Sequence, residues 1–150
     1  MKIIALGNDS AGDDGAALLA AKALASADRY PVVFAGRPGA GLLDLLDSAG
    51  PVVLLDVVSG GGPPGRIIRL TFAQLVNGIS PAQQVSSHGF GPAEVLQLGR
   101  ALGRSLPKGC FIGIEGGCFE PGNTLSPAVE RAMGRFIDTV SAAVGDLTHW

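Results

Sequence analysis

At 150 residues, 47 % hydrophobic and 16 % charged, the chain is long enough for one domain, residues 1–150, with a substantial core, and too apolar to stay disordered. A net charge of −2 with no block of Lys or Arg argues against a nucleic-acid or anionic-membrane surface. No apolar run reaches the ~18 residues that a membrane span needs, and the N-terminal stretch is unlike a signal peptide, so a cytoplasmic protein with reduced thiols is expected.

Lys2 to Leu6 is a short apolar run that reads as a buried strand. Gly7-Asn8 breaks it, and Asp13-Asp14 opens a segment of good helix formers lasting to about Ala25. The stretch is therefore strand, Gly-rich turn, helix, with two carboxylates at the hinge. In open α/β sheets, ligands bind where such turns lie. Capping accounts for one Asp, because an Asp at a helix start accepts orphan N–H bonds and faces the positive dipole end. Asp13 is read as that cap. Asp14 gains interest if other ligand-type residues converge on it.

Tyr30 to Ala35 reads as a second strand, followed by Gly36-Arg37-Pro38-Gly39-Ala40-Gly41 and a short helix through Leu42, Leu43, Leu45 and Leu46. The Gly cluster is not G-x-G-x-x-G, and Pro38 has no N–H to offer a phosphate, so a nucleotide site is disfavoured. Pro51 to Val58 is a continuous apolar run that fits a central strand buried on both faces. Asp56 interrupts it. A buried carboxylate costs several kcal/mol unless it is paired, hydrogen-bonded or bound to something. Either Asp56 caps the loop from Ser59 to Gly62, or it serves a site at the carboxyl end of the strand.

Arg66 to Leu70 reads as a strand nearer an edge, and residues 72–85 as a long polar surface connection. Ser86-Ser87-His88-Gly89 ends that connection. A helix with Pro92 near its start then places Val95, Leu98 and Leu102 on one face. His88 sits among small residues just before a helix, which suits a ligand, although a lone His is often only a satisfied polar residue. His149 is read in the latter way.

Gly109 to Ile114 is the last strand and ends in Glu115, a further carboxylate that either serves a site or bonds to the following Gly-rich loop. Cys110 reads as core and Cys118 as a loop residue; their spacing fits neither a CxxC pair nor a zinc ribbon. Ser126-Pro127 starts a final helix with Val129, Ala132, Met133, Phe136, Ile137 and Val140 on its buried face. The alternation of strands and helices gives an α/β domain with helices on both faces of a sheet.

Asp14, Asp56 and His88 thus occupy comparable places and can meet at one edge of the sheet. Two carboxylates and an imidazole suit a divalent metal. Three protein donors leave coordination positions open, as catalytic metal sites do.

Four ordered motifs carry a resemblance. They are Gly7-Asn8 with Gly12-Asp13-Asp14-Gly15; Leu55-Asp56-Val57 with Pro64-Gly65-Arg66-Ile67; Ser86-Ser87-His88 with Gly91, Glu94 and Leu96; and Gly113-Ile114-Glu115 with Leu125-Ser126-Pro127. In this order they resemble the hydrogenase maturation endopeptidases, which process the C-terminus of the large subunit of nickel–iron hydrogenases. The resemblance implies a three-layer α/β/α sandwich around a twisted, mostly parallel five-stranded sheet. It places the metal-binding and catalytic positions on Asp14, Asp56 and His88. Nickel mounted in the large-subunit precursor is the implied recognition handle, with no organic cofactor, and the enzyme is expected to be a monomer. Two departures bear on substrate identity: Gly36-Arg37-Pro38-Gly39 stands where the family often carries a Thr, and Gly116 stands where a Pro commonly follows Gly-Ile-Glu. The rival readings are a metallohydrolase with its own permanent zinc, and a non-catalytic nickel-binding chaperone that inspects the precursor.

Overall fold

The computed structural model describes residues 1–26, 30–46, 50–59, 61–77 and 91–148. Its strands are β1 (Lys2–Leu6), β2 (Val32–Gly36), β3 (Val52–Val58), β4 (Ile67–Thr71) and β5 (Gly109–Glu115). Its α-helices are α1 (Ala16–Ala25), α2 (Leu42–Leu46), α3 (Phe72–Asn77), α4 (Pro92–Ala101) and α5 (Pro127–Thr148). The strands form one sheet in the order β2-β1-β3-β5-β4. All pairings are parallel except β4 with β5, which is antiparallel.

Strand alternation sorts the core into two layers. Ile3, Ala5, Val53, Leu55, Val57, Ile112 and Ile114 face α1 and α5, and Cys110 joins them as a small core residue. Ile4, Leu6, Val52, Leu54, Val58 and Phe111 face α2, α3 and α4. Both faces of β3 are buried along its length, as the apolar run requires. Each such Val, Leu or Ile contributes about 1.5–3 kcal/mol by leaving water. On α1, Ala16, Ala17, Ala20 and Ala21 are all fully buried; their small side chains let the helix lie close to both the sheet and α5. The expected three-layer α/β architecture is therefore observed.

Two local expectations are corrected. Residues 72–77 are not part of a surface loop: they form α3, which buries Phe72, Leu75 and Val76. Thr71 and Gln74 cap it reciprocally, Thr71 N–H donating to Gln74 Oε1 at 2.9 Å and Gln74 N–H to Thr71 Oγ1 at 3.1 Å, a capping box that marks a helix start. On α4 the buried stripe is Pro92, Val95, Leu96 and Gly99 with Ala93, at helical spacing. Leu102 instead caps the helix end and is 62 % exposed.

The strand order also locates the site. From β1 the chain crosses to β2 on one side, then returns to β3 on the other side of β1. The carboxyl ends of β1 and β3 therefore flank a topological switch point, where open α/β sheets hold their ligands. Because β4 runs antiparallel, the residues just before it reach the same edge as the ends of the other four strands.

Candidate functional site

Asp14 is delivered by the turn after β1. Gly7 ends the strand at φ 133°, and any Cβ there would run into the Asp14 carbonyl, so this close turn requires glycine. The Asn8 N–H donates to Asp14 Oδ2 at 2.9 Å. Gly7 N–H donates to the Gly36 carbonyl at 2.9 Å, which ties the end of β1 to the end of β2 and brings the next residue, Arg37, beside the site. Arg37 Nη2 forms an ion pair with the same Asp14 Oδ2.

Asp56 lies two residues before the end of β3, opposite Gly113 of β5, and is 8 % exposed. Its Oδ1 accepts the Val57 N–H at 2.7 Å; Gly60 of the following loop lies outside the described residues. Burial pushes the Asp56 carboxyl up to about 7. The Val57 N–H opposes that rise, the negative charge of Asp14 adds to it, and the positive charge of Arg37 opposes it. Asp14 and Asp56 are thus near enough to feel one another's charge, at the switch point between β1 and β3.

Asp13 is not the helix cap that its position suggests. Gly12–Gly15 is a 3₁₀ turn, and α1 begins only at Ala16, with Gly15 as a cap that offers no side-chain bond. The Asp13 carboxylate turns instead toward the connection between β5 and α5. It accepts N–H bonds from Gly117 at 2.8 Å, Cys118 at 2.9 Å and Ser126 at 2.6 Å, and the Ser126 hydroxyl at 2.7 Å. Backbone bonds close the same seam: Asp13 N–H donates to the Cys118 carbonyl and Gly12 N–H to that of Gly122, both at 2.8 Å. Gly12 (φ 56°) must be glycine here, since a Cβ would come within 2.6 Å of the Cys118 carbonyl oxygen. Burial alone would raise the Asp13 carboxyl, but the bonds from Gly117, Ser126 and Cys118 outweigh it and hold it below the ordinary value.

Glu115, at the end of β5, is buried and pairs with Arg66 Nη2 at 3.0 Å. Its charge is therefore engaged by Arg66, the residue that precedes β4. Cys110 is buried in the core, and burial pushes its thiol up. The third sequence candidate, His88, lies outside the described residues, as does His149. Among the described residues no three His, Cys, Asp or Glu side chains form a metal-binding cluster, and no helix is long and apolar enough to cross a membrane. Arg37 is the neighbour of Asp14 that pattern reading passed over. Its signal was a lone Arg in a Gly/Pro turn after a strand that neighbours β1.

A model of the hydrogenase maturation protease family (HycI) matches residues 18–143, a span that includes Asp56 and His88. No curated protein matches the sequence. Among solved structures, the chain is similar to the hydrogenase maturating endopeptidase HybD from E. coli, at 26 % identity over 97 % of this chain and 93 % of that one, with a TM-score of 0.74. It is similar to the [NiFe] hydrogenase maturation protease HybD from Thermococcus kodakarensis, at 26 % identity over 94 % and 96 % of the two chains, with a TM-score of 0.71. A hydrogenase 2 maturation peptidase from a Thaumarchaeota archaeon is 31 % identical over 96 % and 97 %, with a TM-score of 0.66. With most of its length matched by the family model and its fold shared with these peptidases, the chain belongs to the hydrogenase maturation protease family.

Proposed function

We propose that this protein is an endopeptidase that removes the C-terminal extension of a nickel–iron hydrogenase large-subunit precursor, and that nickel already mounted in the precursor is the handle by which it is recognised. Asp14, Asp56 and His88 supply the protein's donors to that metal. The observation that carries the reading is the meeting of Asp14 and Asp56 at the switch point of a chain whose family is proteolytic.

Two carboxylate oxygens and one imidazole nitrogen leave room for donors that belong to the substrate. Anchoring the precursor through its metal fixes the scissile bond over the crevice, and positioning of this kind is a large catalytic term. A metal at this place also polarises a carbonyl or acidifies a bound water. Asp56 must be ionised to act as a donor, so engagement of the substrate releases the proton that burial favours on it. The Ser126 hydroxyl donates to Asp13 and Cys110 is sealed in the core, so neither is placed as a nucleophile.

The test uses a large-subunit precursor with its extension intact, nickel-loaded and nickel-free, with mass spectrometry as the readout. Shortening of the loaded precursor alone is the expected result. Equal cutting of both forms overturns the nickel handle, and binding without loss of mass overturns the endopeptidase reading in favour of a chaperone.

A further inference from the structure

We infer that Arg37 is a place-holding cation: its guanidinium pairs with Asp14 Oδ2 and has to leave before a divalent ion binds that carboxylate. The inference rests on the reading of Asp14 and Asp56 as metal donors.

Asp14 Oδ2 receives both the Asn8 N–H and Arg37 Nη2. The Asn8 bond is a backbone contact, fixed by the turn that β1 feeds. The Arg37 bond comes from a side chain that is 40 % exposed, paired with an acid that is 6 % exposed. Gly36 (φ 63°) precedes that residue and Gly39 (φ 57°) follows it two positions later, after Pro38, and nothing lies within 4 Å of where a Cβ would stand on either glycine. The half-exposed Arg37 side chain can exchange this bond for water, whereas the Asn8 contact stays with the turn.

Electrostatics explain why a cation belongs there. Two carboxylates share one crevice of low dielectric, and their repulsion is relieved by any positive charge that reaches both. Arg37 sits on Asp14 and its charge also acts on Asp56. A divalent ion bound to the same oxygen would meet the guanidinium at close range, and like charges at that distance repel. The pair thus sets a threshold against free metal ions, which a precursor-mounted metal passes because the rest of the precursor contributes binding of its own.

Calorimetric titration of the full chain with Ni²⁺ alone at pH 8 tests this, with circular dichroism and melting curves to verify each fold. Arg37→Ala is expected to bind Ni²⁺ on the order of tenfold more tightly than the unaltered protein, with Arg37→Lys between the two. In an Asp14→Ala background, Arg37→Ala should bring no gain. Arg37→Gln replaces Arg37→Ala if the smaller side chain disturbs the turn. Binding by Arg37→Ala no tighter than the unaltered protein, or a gain that persists without Asp14, overturns the place-holder. Tight Ni²⁺ binding that survives Asp14→Ala in both backgrounds overturns instead the assignment of Asp14 as a donor. No measurable Ni²⁺ binding in any variant overturns both.

Discussion

Asp13 and Asp14 are adjacent in the chain, yet their carboxylates serve different ends of the same turn. Asp13 is fully buried and accepts four hydrogen bonds from the segment between β5 and α5, which hold it ionised below the ordinary carboxylate range. Asp14 turns to the switch point, where it meets Arg37 and feels Asp56. Asp56 accepts one described bond and is raised to about 7. A buried carboxylate supplied with donors is a structural clamp. One raised by burial and by a neighbouring charge of its own sign is relieved by a cation, which is the role proposed for Asp56. Partners and charge separate the two roles where residue type and sequence position do not.

The largest expected effect is on turnover. Asp14→Ala and Asp56→Ala should each reduce precursor processing by at least about 100-fold, as read by mass spectrometry of the shortened product, with circular dichroism showing that each variant stays folded. Full activity in either variant would break the comparison at its catalytic end. Next comes Asp13→Ala, which strands three N–H groups and a hydroxyl. It should destabilise the fold by about 3–5 kcal/mol, seen as a lower urea midpoint at unchanged slope. A loss nearer ~1 kcal/mol would return Asp13 to the role of an ordinary helix cap.

The opposite sign is expected at Asp56. Its folded value lies above that of the unfolded chain, so between pH 3.8 and about 7 the folded protein retains a proton that the unfolded chain has lost. Stability contributed by that retained proton is complete below pH 3.8 and is lost as pH rises to about 7. Asp56→Asn should therefore stabilise the protein at pH 8 by on the order of 2–4 kcal/mol while abolishing processing, whereas Asp13→Asn should not stabilise at any pH. For Asp13 the folded value is depressed, so its contribution is present above pH 3.8 and is lost as pH falls through the folded value. The smallest effect is on the pH profile of processing by the unaltered protein. Activity should decline as pH falls through about 7, where Asp56 takes up a proton and can no longer serve as an anionic donor. A rate that stays flat down to pH 5 would show that Asp56 does not act as a ligand.

Much of this molecule is legible in one dimension. The apolar runs of β1, β3 and β5 announce buried strands, and the single Asp within Val52–Val58 stands out because a carboxylate has no reason to lie in such a run unless something engages it. The stripe of Val129, Ala132, Phe136 and Val140 announces α5 just as clearly. Thr71-x-x-Gln74 was equally local and marks α3 once the reciprocal cap is recognised. These are signals between residues a few positions apart, and local chemistry suffices to read them.

What only the tertiary structure decided are the pairings across long separations. Asp13 finds its donors more than 100 positions away, and Arg37 reaches Asp14 across 23. Glu115 finds Arg66 because β4 turns antiparallel onto β5 and brings the residue that precedes it to the edge where β5 ends. None of these contacts leaves a periodic trace, because each depends on the order β2-β1-β3-β5-β4, and strand order arises from how whole layers bury their apolar faces. The sequence by itself thus determined which carboxylates needed a partner. The strand order decided which partner each one met.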